Sequence, residues 1–157
     1  MTDKTVTLDR RVPAFALPAS GGQKWKLADA AGRNLVLYFY PKDNTSGCTS
    51  QGQAFRDLHP RFRKAGTEIV GVSPDSVASH DKFIAKYGFT FPLLADEEKT
   101  VSELFGVWKE KSMYGKKYMG IERSTFLIDA KGVLRREWRK VKVPGPAEEV
   151  LAAVAEL

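Results

Sequence analysis

The chain has 157 residues, 43% of them hydrophobic, a size that suits one domain, residues 1–157, with a real core. It has no run of about 18 apolar residues, which excludes a transmembrane helix, and its single cysteine, Cys48, excludes an internal disulfide and a multi-thiolate metal site. The net charge of +6 gathers in Lys109, Lys111, Lys116 and Lys117 and again in Arg135, Arg136, Arg139, Lys140 and Lys142; neither cluster matches a nucleic-acid motif, so solvated surface is expected, with an anionic partner surface as the alternative.

The N-terminal stretch, Met1 to Pro13, lacks the apolar centre of a secretory signal, and a cytoplasmic location is expected. Residues 10–34 are rich in turn formers and predict an extended segment with a short hairpin. Leu35–Tyr40 is a continuous apolar run of strand length, the pattern of a strand buried on both faces. A loop follows from Pro41 to Gly47. Ala54, Phe55, Leu58 and Phe62 then mark one face of a helix, which Gly66 stops. Thr67–Val72 predicts a second strand, Ser73–Asp75 a turn, and Val77, Phe83, Ile84 and Tyr87 a second helix. Phe91–Leu94 reads as a short strand, and Val101, Leu104 and Phe105 as a short helix. A Lys-rich connection holding Trp108 and Tyr114 leads to Arg123; these two aromatics are candidates for the border of a site. Thr125–Ile128 and Val133–Trp138 flank the hairpin signal Asp129-Ala-Lys-Gly132. Ala147, Val150, Leu151 and Val154 close the chain with an amphipathic helix. The order implies parallel crossovers followed by antiparallel pairing: an α/β fold with a mixed central sheet flanked by helices.

The chemistry centres on Phe39-Tyr-Pro-Lys-Asp-Asn-Thr-Ser-Gly-Cys-Thr-Ser50. It runs from the carboxyl end of a buried strand into the first turn of a helix, the edge at which α/β sheets bind ligands. Free N–H groups and the macrodipole at a helix N-terminus favour an anion by up to about 2 kcal/mol. A thiol attacks as its thiolate, so a fixed cation is also wanted, and arginine suits best because it stays charged and presents several donors in one plane. Arg123, just before the apolar strand, is the candidate; a surface arginine at a strand edge is the bland reading. The Thr45 hydroxyl can cap the helix or donate toward a substrate oxygen. Pro41 stiffens the loop.

Taken together, Pro41-x-x-x-Thr45-x-x-Cys48 resembles the peroxiredoxin active-site motif, and the wider stretch is similar to the peroxiredoxin Q, or bacterioferritin comigratory protein, subfamily. Gly-Ile-Glu-Arg123-Ser-Thr-Phe and Phe91-Pro-Leu-Leu-Ala-Asp96 resemble segments of the same family, and the resemblance runs from about Val12 to the last helix. It implies a thioredoxin-like fold and reduction of hydrogen peroxide and organic hydroperoxides. Carried over residue by residue, it makes Cys48 the peroxidatic thiol, oxidised to sulfenic acid. Thr45, Gly47, Cys48 and Arg123 bind the peroxide, and Pro41 shields the site. No metal or organic cofactor is implied.

The chain departs from the pattern where many relatives carry a resolving cysteine, for Gln53 and Ile84 stand at the two usual positions. A one-cysteine mechanism follows, regenerated by an external thiol (thioredoxin, glutaredoxin or glutathione), on a monomer or weak homodimer. Ser46 replaces a proline common in relatives and can cap the helix instead. A peroxide sensor that relays oxidation to a partner is the alternative function. A thiol–disulfide oxidoreductase lacks its Cys-x-x-Cys, and a cysteine hydrolase needs a histidine base; His59 and His80 read as surface or packing residues.

Overall fold

Residues 16–26 form the expected hairpin in a computed structural model that describes residues 6–142 and 147–157. Strands β1 (Ala16–Ala19) and β2 (Gln23–Lys26) pair antiparallel, with Leu17 opposite Trp25. Strand β3 (Asn34–Phe39) follows and is buried from Leu35 onward. Helix α1 (Ser46–Lys64) ends at Ala65, and Gly66 at φ 67° turns the chain into β4 (Thr67–Ser73). Helix α2 (Val77–Tyr87) is capped by Ser76, whose hydroxyl accepts the Ser79 N–H at 3.1 Å. Then come β5 (Leu93–Ala95), α3 (Thr100–Leu104), β6 (Trp108–Met113), β7 (Lys116–Ile121), β8 (Ser124–Ile128), β9 (Leu134–Trp138) and α4 (Ala147–Val154).

Seven strands form one mixed sheet in the order β2-β1-β5-β4-β3-β8-β9. β3 pairs parallel with β4 and antiparallel with β8, and β4 pairs parallel with β5. The alternation of side chains along β3 divides the core. Leu35, Leu37 and Phe39 join Val70, Val72, Phe105 and Phe126 on one face. Val36, Tyr38 and Tyr40 join Cys48, Phe55, Phe62, Phe83 and Val150 on the other, beneath α1, α2 and α4.

Two elements differ from the sequence expectation. The short strand begins at Leu93 rather than Phe91, because Pro92 has no N–H for a ladder bond and leaves its carbonyl alone to accept from Gly71 at 3.2 Å. The Lys-rich connection is a hairpin of its own, β6 with β7, turned by Tyr114 and Gly115 at positive φ. Its apolar residues are too few to announce a strand, and its pairing is local.

Gly71 sets the packing under the thiol layer. A Cβ there would lie 2.7 Å from Leu93 Cδ2 and 2.9 Å from Tyr38 Cζ, so the Tyr38 ring occupies the space that any side chain would need. Gly71→Ala is therefore expected to cost about 1–3 kcal/mol of stability. Chemical denaturation measures this, and an unchanged midpoint with an unchanged slope would show that the ring is not fixed there.

Candidate active site

The loop after β3 is fixed before the helix begins. Tyr40 continues the ladder, its N–H donating to the Val72 carbonyl at 3.0 Å. Asp43 is buried and collects the next contacts. Its carboxylate accepts from the Tyr40 hydroxyl at 2.6 Å and the Ser79 hydroxyl at 2.8 Å, and lies 2.7 Å from His80 Nδ1. His80 Nε2 sits 2.8 Å from the Leu94 carbonyl, and the Asp43 N–H donates to Asp75 at 2.8 Å. Burial, reinforced by Tyr38 and Asp43, raises the Tyr40 phenol well above its ordinary range and keeps it a donor. Asn44, at φ 61°, then swings the chain toward α1 and accepts from the Tyr87 hydroxyl at 3.1 Å.

Thr45 is the N-cap by backbone: its carbonyl accepts the Thr49 N–H at 2.8 Å. Its hydroxyl donates to the Lys42 carbonyl at 2.9 Å and makes no cap bond, so the side-chain capping reading of Thr45 is corrected. The capping role of Ser46 is corrected too, since Ser46 is the first helical residue. Gly47 is half-buried, and Cys48, third in α1, is 2% exposed. The N–H groups of this first turn have no intrahelical acceptors and are aimed past the helix end. No acidic residue stands in the first turn, while Arg61, Arg63 and Lys64 occupy the last, which suits the helix dipole.

Arg123 reaches the sulfur for a reason of register. The antiparallel pairing of β3 with β8 sets Phe39 opposite Ser124, so the residue before Ser124 lies beside the carboxyl end of β3, where the loop departs. Its Nη2 donates to Cys48 Sγ at 3.2 Å, and its Nη1 donates to Gln51 Oε1 at 2.6 Å. Gln51 lies one turn beyond Cys48 on the same helix face. Because a guanidinium only donates, the amide oxygen of Gln51 faces it and Nε2 points away, buried and without a partner among the described residues. Pro41 is half-buried at the start of the loop.

The structure therefore brings Cys48 and Arg123 into contact, with Thr45 one helical turn before the sulfur. Gln51, Asp43 and His80 are additions that the sequence reading missed. The i, i+3 spacing of Gln51 from Cys48 was the available signal for the first. Both histidines pack inside: His80 is fully buried, and His59 bonds the Thr90 hydroxyl at 2.6 Å, burial lowering its proton affinity. Tyr114 projects from the hairpin turn, 98% exposed. From the same hairpin, half-buried Lys111 lies within Coulombic reach of Arg123, Glu122 and Cys48; burial and Arg123 push it below the usual lysine range.

Comparison with known proteins gives a consistent set of likenesses. Residues 8–137 match the model of the AhpC/TSA family. The Peroxiredoxin Bcp of Xanthomonas campestris is 52% identical over 98% of this chain and 96% of its own length. That of Bacillus subtilis is 47% identical over 98% of both. Among solved structures, Xanthomonas campestris Peroxiredoxin Q superposes with a TM-score of 0.86 at 54% identity over 90% of each chain. The bacterioferritin comigratory protein of the same organism, described with its alkyl peroxide reduction activity, gives 0.86 at 53% over the same shares. A Xylella fastidiosa PrxQ mutant gives 0.91 at 44% identity over 96% of each chain.

Proposed function

The chain belongs to the AhpC/TSA family as a peroxiredoxin of the Bcp, or Q, type, a thiol peroxidase, and from that premise we propose that Cys48 alone carries its peroxide chemistry, with a thiol from outside the chain completing each turnover. The observation that carries the reading is the 3.2 Å contact from Arg123 Nη2 to Cys48 Sγ at the N-terminal turn of α1.

In this reading the Arg123 guanidinium and the free N–H groups of the first turn face the Cys48 sulfur, and the thiolate is the attacking form. The sulfur attacks the nearer oxygen of a hydroperoxide and the O–O bond breaks. Negative charge grows on the departing oxygen, where the Arg123 guanidinium, the Thr45 hydroxyl and the Gly47 and Cys48 N–H groups receive it as an oxyanion hole does. That oxygen takes a proton and leaves as water or an alcohol, and Cys48 is left as a sulfenic acid. For Thr45 to donate to the peroxide, its hydroxyl must turn from the Lys42 carbonyl. Pro41 keeps water from the sulfur. The alkyl peroxide reduction described for the Xanthomonas relative makes organic hydroperoxides the substrate class to expect alongside hydrogen peroxide.

With no second cysteine in the chain, the sulfenic acid condenses with an external thiol, releasing water and forming a mixed disulfide. A further thiol then frees Cys48. Thioredoxin, glutaredoxin and glutathione are the candidate reductants. Mass spectrometry of protein treated with one equivalent of peroxide is expected to give a single dimedone adduct at Cys48 and, with glutathione, one mixed disulfide. Continuous peroxide consumption with dithiothreitol completes the test. A protein that oxidises once and stalls, or that yields only a Cys48–Cys48 dimer under turnover, would overturn the reading.

A further inference from the structure

The hairpin beside Arg123 has two unlike faces. Its register sets Lys109 opposite Gly120, Lys111 opposite Tyr118 and Met113 opposite Lys116. Side chains alternate along each strand, so these six residues share one face. The other face holds Trp108 and Ile121, which pack into the core, then the Glu110–Met119 pair and, at the tip, Ser112 with Lys117. The first face therefore carries three lysines, an exposed methionine and an exposed tyrosine, and no carboxylate. From the Lys109–Gly120 pair to the Met113–Lys116 pair it runs about 14 Å, at ~3.4 Å per residue.

This face joins the thiol site. Lys111 is its half-buried member, and its stem lies across Gly120, where a Cβ would stand 3.3 Å from Lys111 Cδ. From there it reaches the field of Arg123 and Cys48. The second basic cluster arrives at the same residue: the Val141 N–H, between exposed Lys140 and Lys142, donates to the Arg123 carbonyl at 2.8 Å. Arg135 and Arg136 of that cluster are engaged elsewhere, with Asp9, Asp129 and Glu156.

We infer that the Lys109–Lys111–Met113–Lys116–Tyr118 face of the hairpin is the docking surface for a reducing protein whose reactive thiol is surrounded by carboxylates and a small apolar patch. The inference rests on the external-thiol reading of the cycle. Charge complementarity names the partner: a face with three ammonium groups and no acid attracts an acidic surface and speeds its encounter. The length of the face argues for a protein, since a small thiol condensing with Cys48 would not extend along all three residue pairs. Once docked, the partner's thiolate attacks the Cys48 sulfenic acid, giving the mixed disulfide and water. The partner's second thiol breaks that disulfide, leaving the partner oxidised and the Cys48 thiol restored.

The test compares Lys109→Glu/Lys116→Glu with Lys24→Glu/Lys131→Glu, which changes net charge equally on other exposed strands and turns. The probe is an acidic bacterial thioredoxin with its reductase and NADPH, and dithiothreitol serves as the small thiol. The hairpin variant is expected to lose about tenfold or more in kcat/KM for thioredoxin, and to lose the salt dependence seen in the wild type. Its oxidation by peroxide and its turnover with dithiothreitol stay at wild-type rates, which also shows that it folds. Retained thioredoxin kcat/KM overturns the inference. So does an equal loss in the control variant, a parallel loss with dithiothreitol, or a wild type that turns over with dithiothreitol and glutathione but with no protein thiol. A wild type that fails to turn over with dithiothreitol instead sinks the external-thiol reading itself.

Discussion

Cys48→Ser is expected to bring peroxide consumption down to the uncatalysed background, whichever thiol is supplied. The hydroxyl is a far weaker nucleophile than a thiolate. Its oxygen also has no stable counterpart to the sulfenic state, so even a slow attack could not be followed by turnover. The fold offers no reason for collapse. The sulfur is 2% exposed and bonded to Arg123, and a serine oxygen in its place can accept the same N–H. Circular dichroism of the variant should match wild type, which separates lost chemistry from lost structure. A variant that consumed peroxide at the wild-type rate with dithiothreitol would remove Cys48 from the mechanism altogether.

Arg123→Met should slow the oxidation step by about 10²–10³-fold, the effect of deleting one donor aimed at developing charge. Arg123→Lys should recover only part of this, because one ammonium cannot bond the sulfur and Gln51 together as the planar fork does. Gln51→Met leaves the charge in place but removes the acceptor that orients it, and a loss of about tenfold is expected. The double variant should fall near Arg123→Met alone, since the two residues act through one bond and such neighbours do not add. Stopped-flow tryptophan fluorescence under limiting peroxide isolates this step from reduction. Additive losses would mean that Gln51 acts on the sulfur independently of Arg123.

Much of this arrangement can be read from short patterns. The apolar run at Leu35–Tyr40, the helical spacing from Ala54 to Phe62 and the Asp129–Gly132 turn each announce an element through local periodicity or turn chemistry, and each is found. Cys48 and Arg123 were legible as a thiol at a helix start and a cation before a core strand. Their contact was not, because it depends on the β3–β8 register, which no window of sequence contains. The Asp43–His80 bond likewise joins residues 37 apart. The β6–β7 hairpin escaped notice for a different reason: alternation marks a strand only when one face is apolar, and half of one of its faces is lysine while the other mixes Trp108 and Ile121 with Glu110 and Lys117.

The network around Asp43 also bears on the cost of each cycle. Reaching a sulfur that is 2% exposed requires the first turn of α1 to open and later to close again. Closing restores order to every residue released, at about 1–2 kcal/mol of backbone entropy apiece. The bonds from Asp43 to Tyr40, Asp75, Ser79 and His80 stop the release at that residue. Pro41, Lys42 and Asp43 are therefore expected to keep their native conformation when the turn opens, with the search on reclosing confined to a short arc from Asn44 to Cys48.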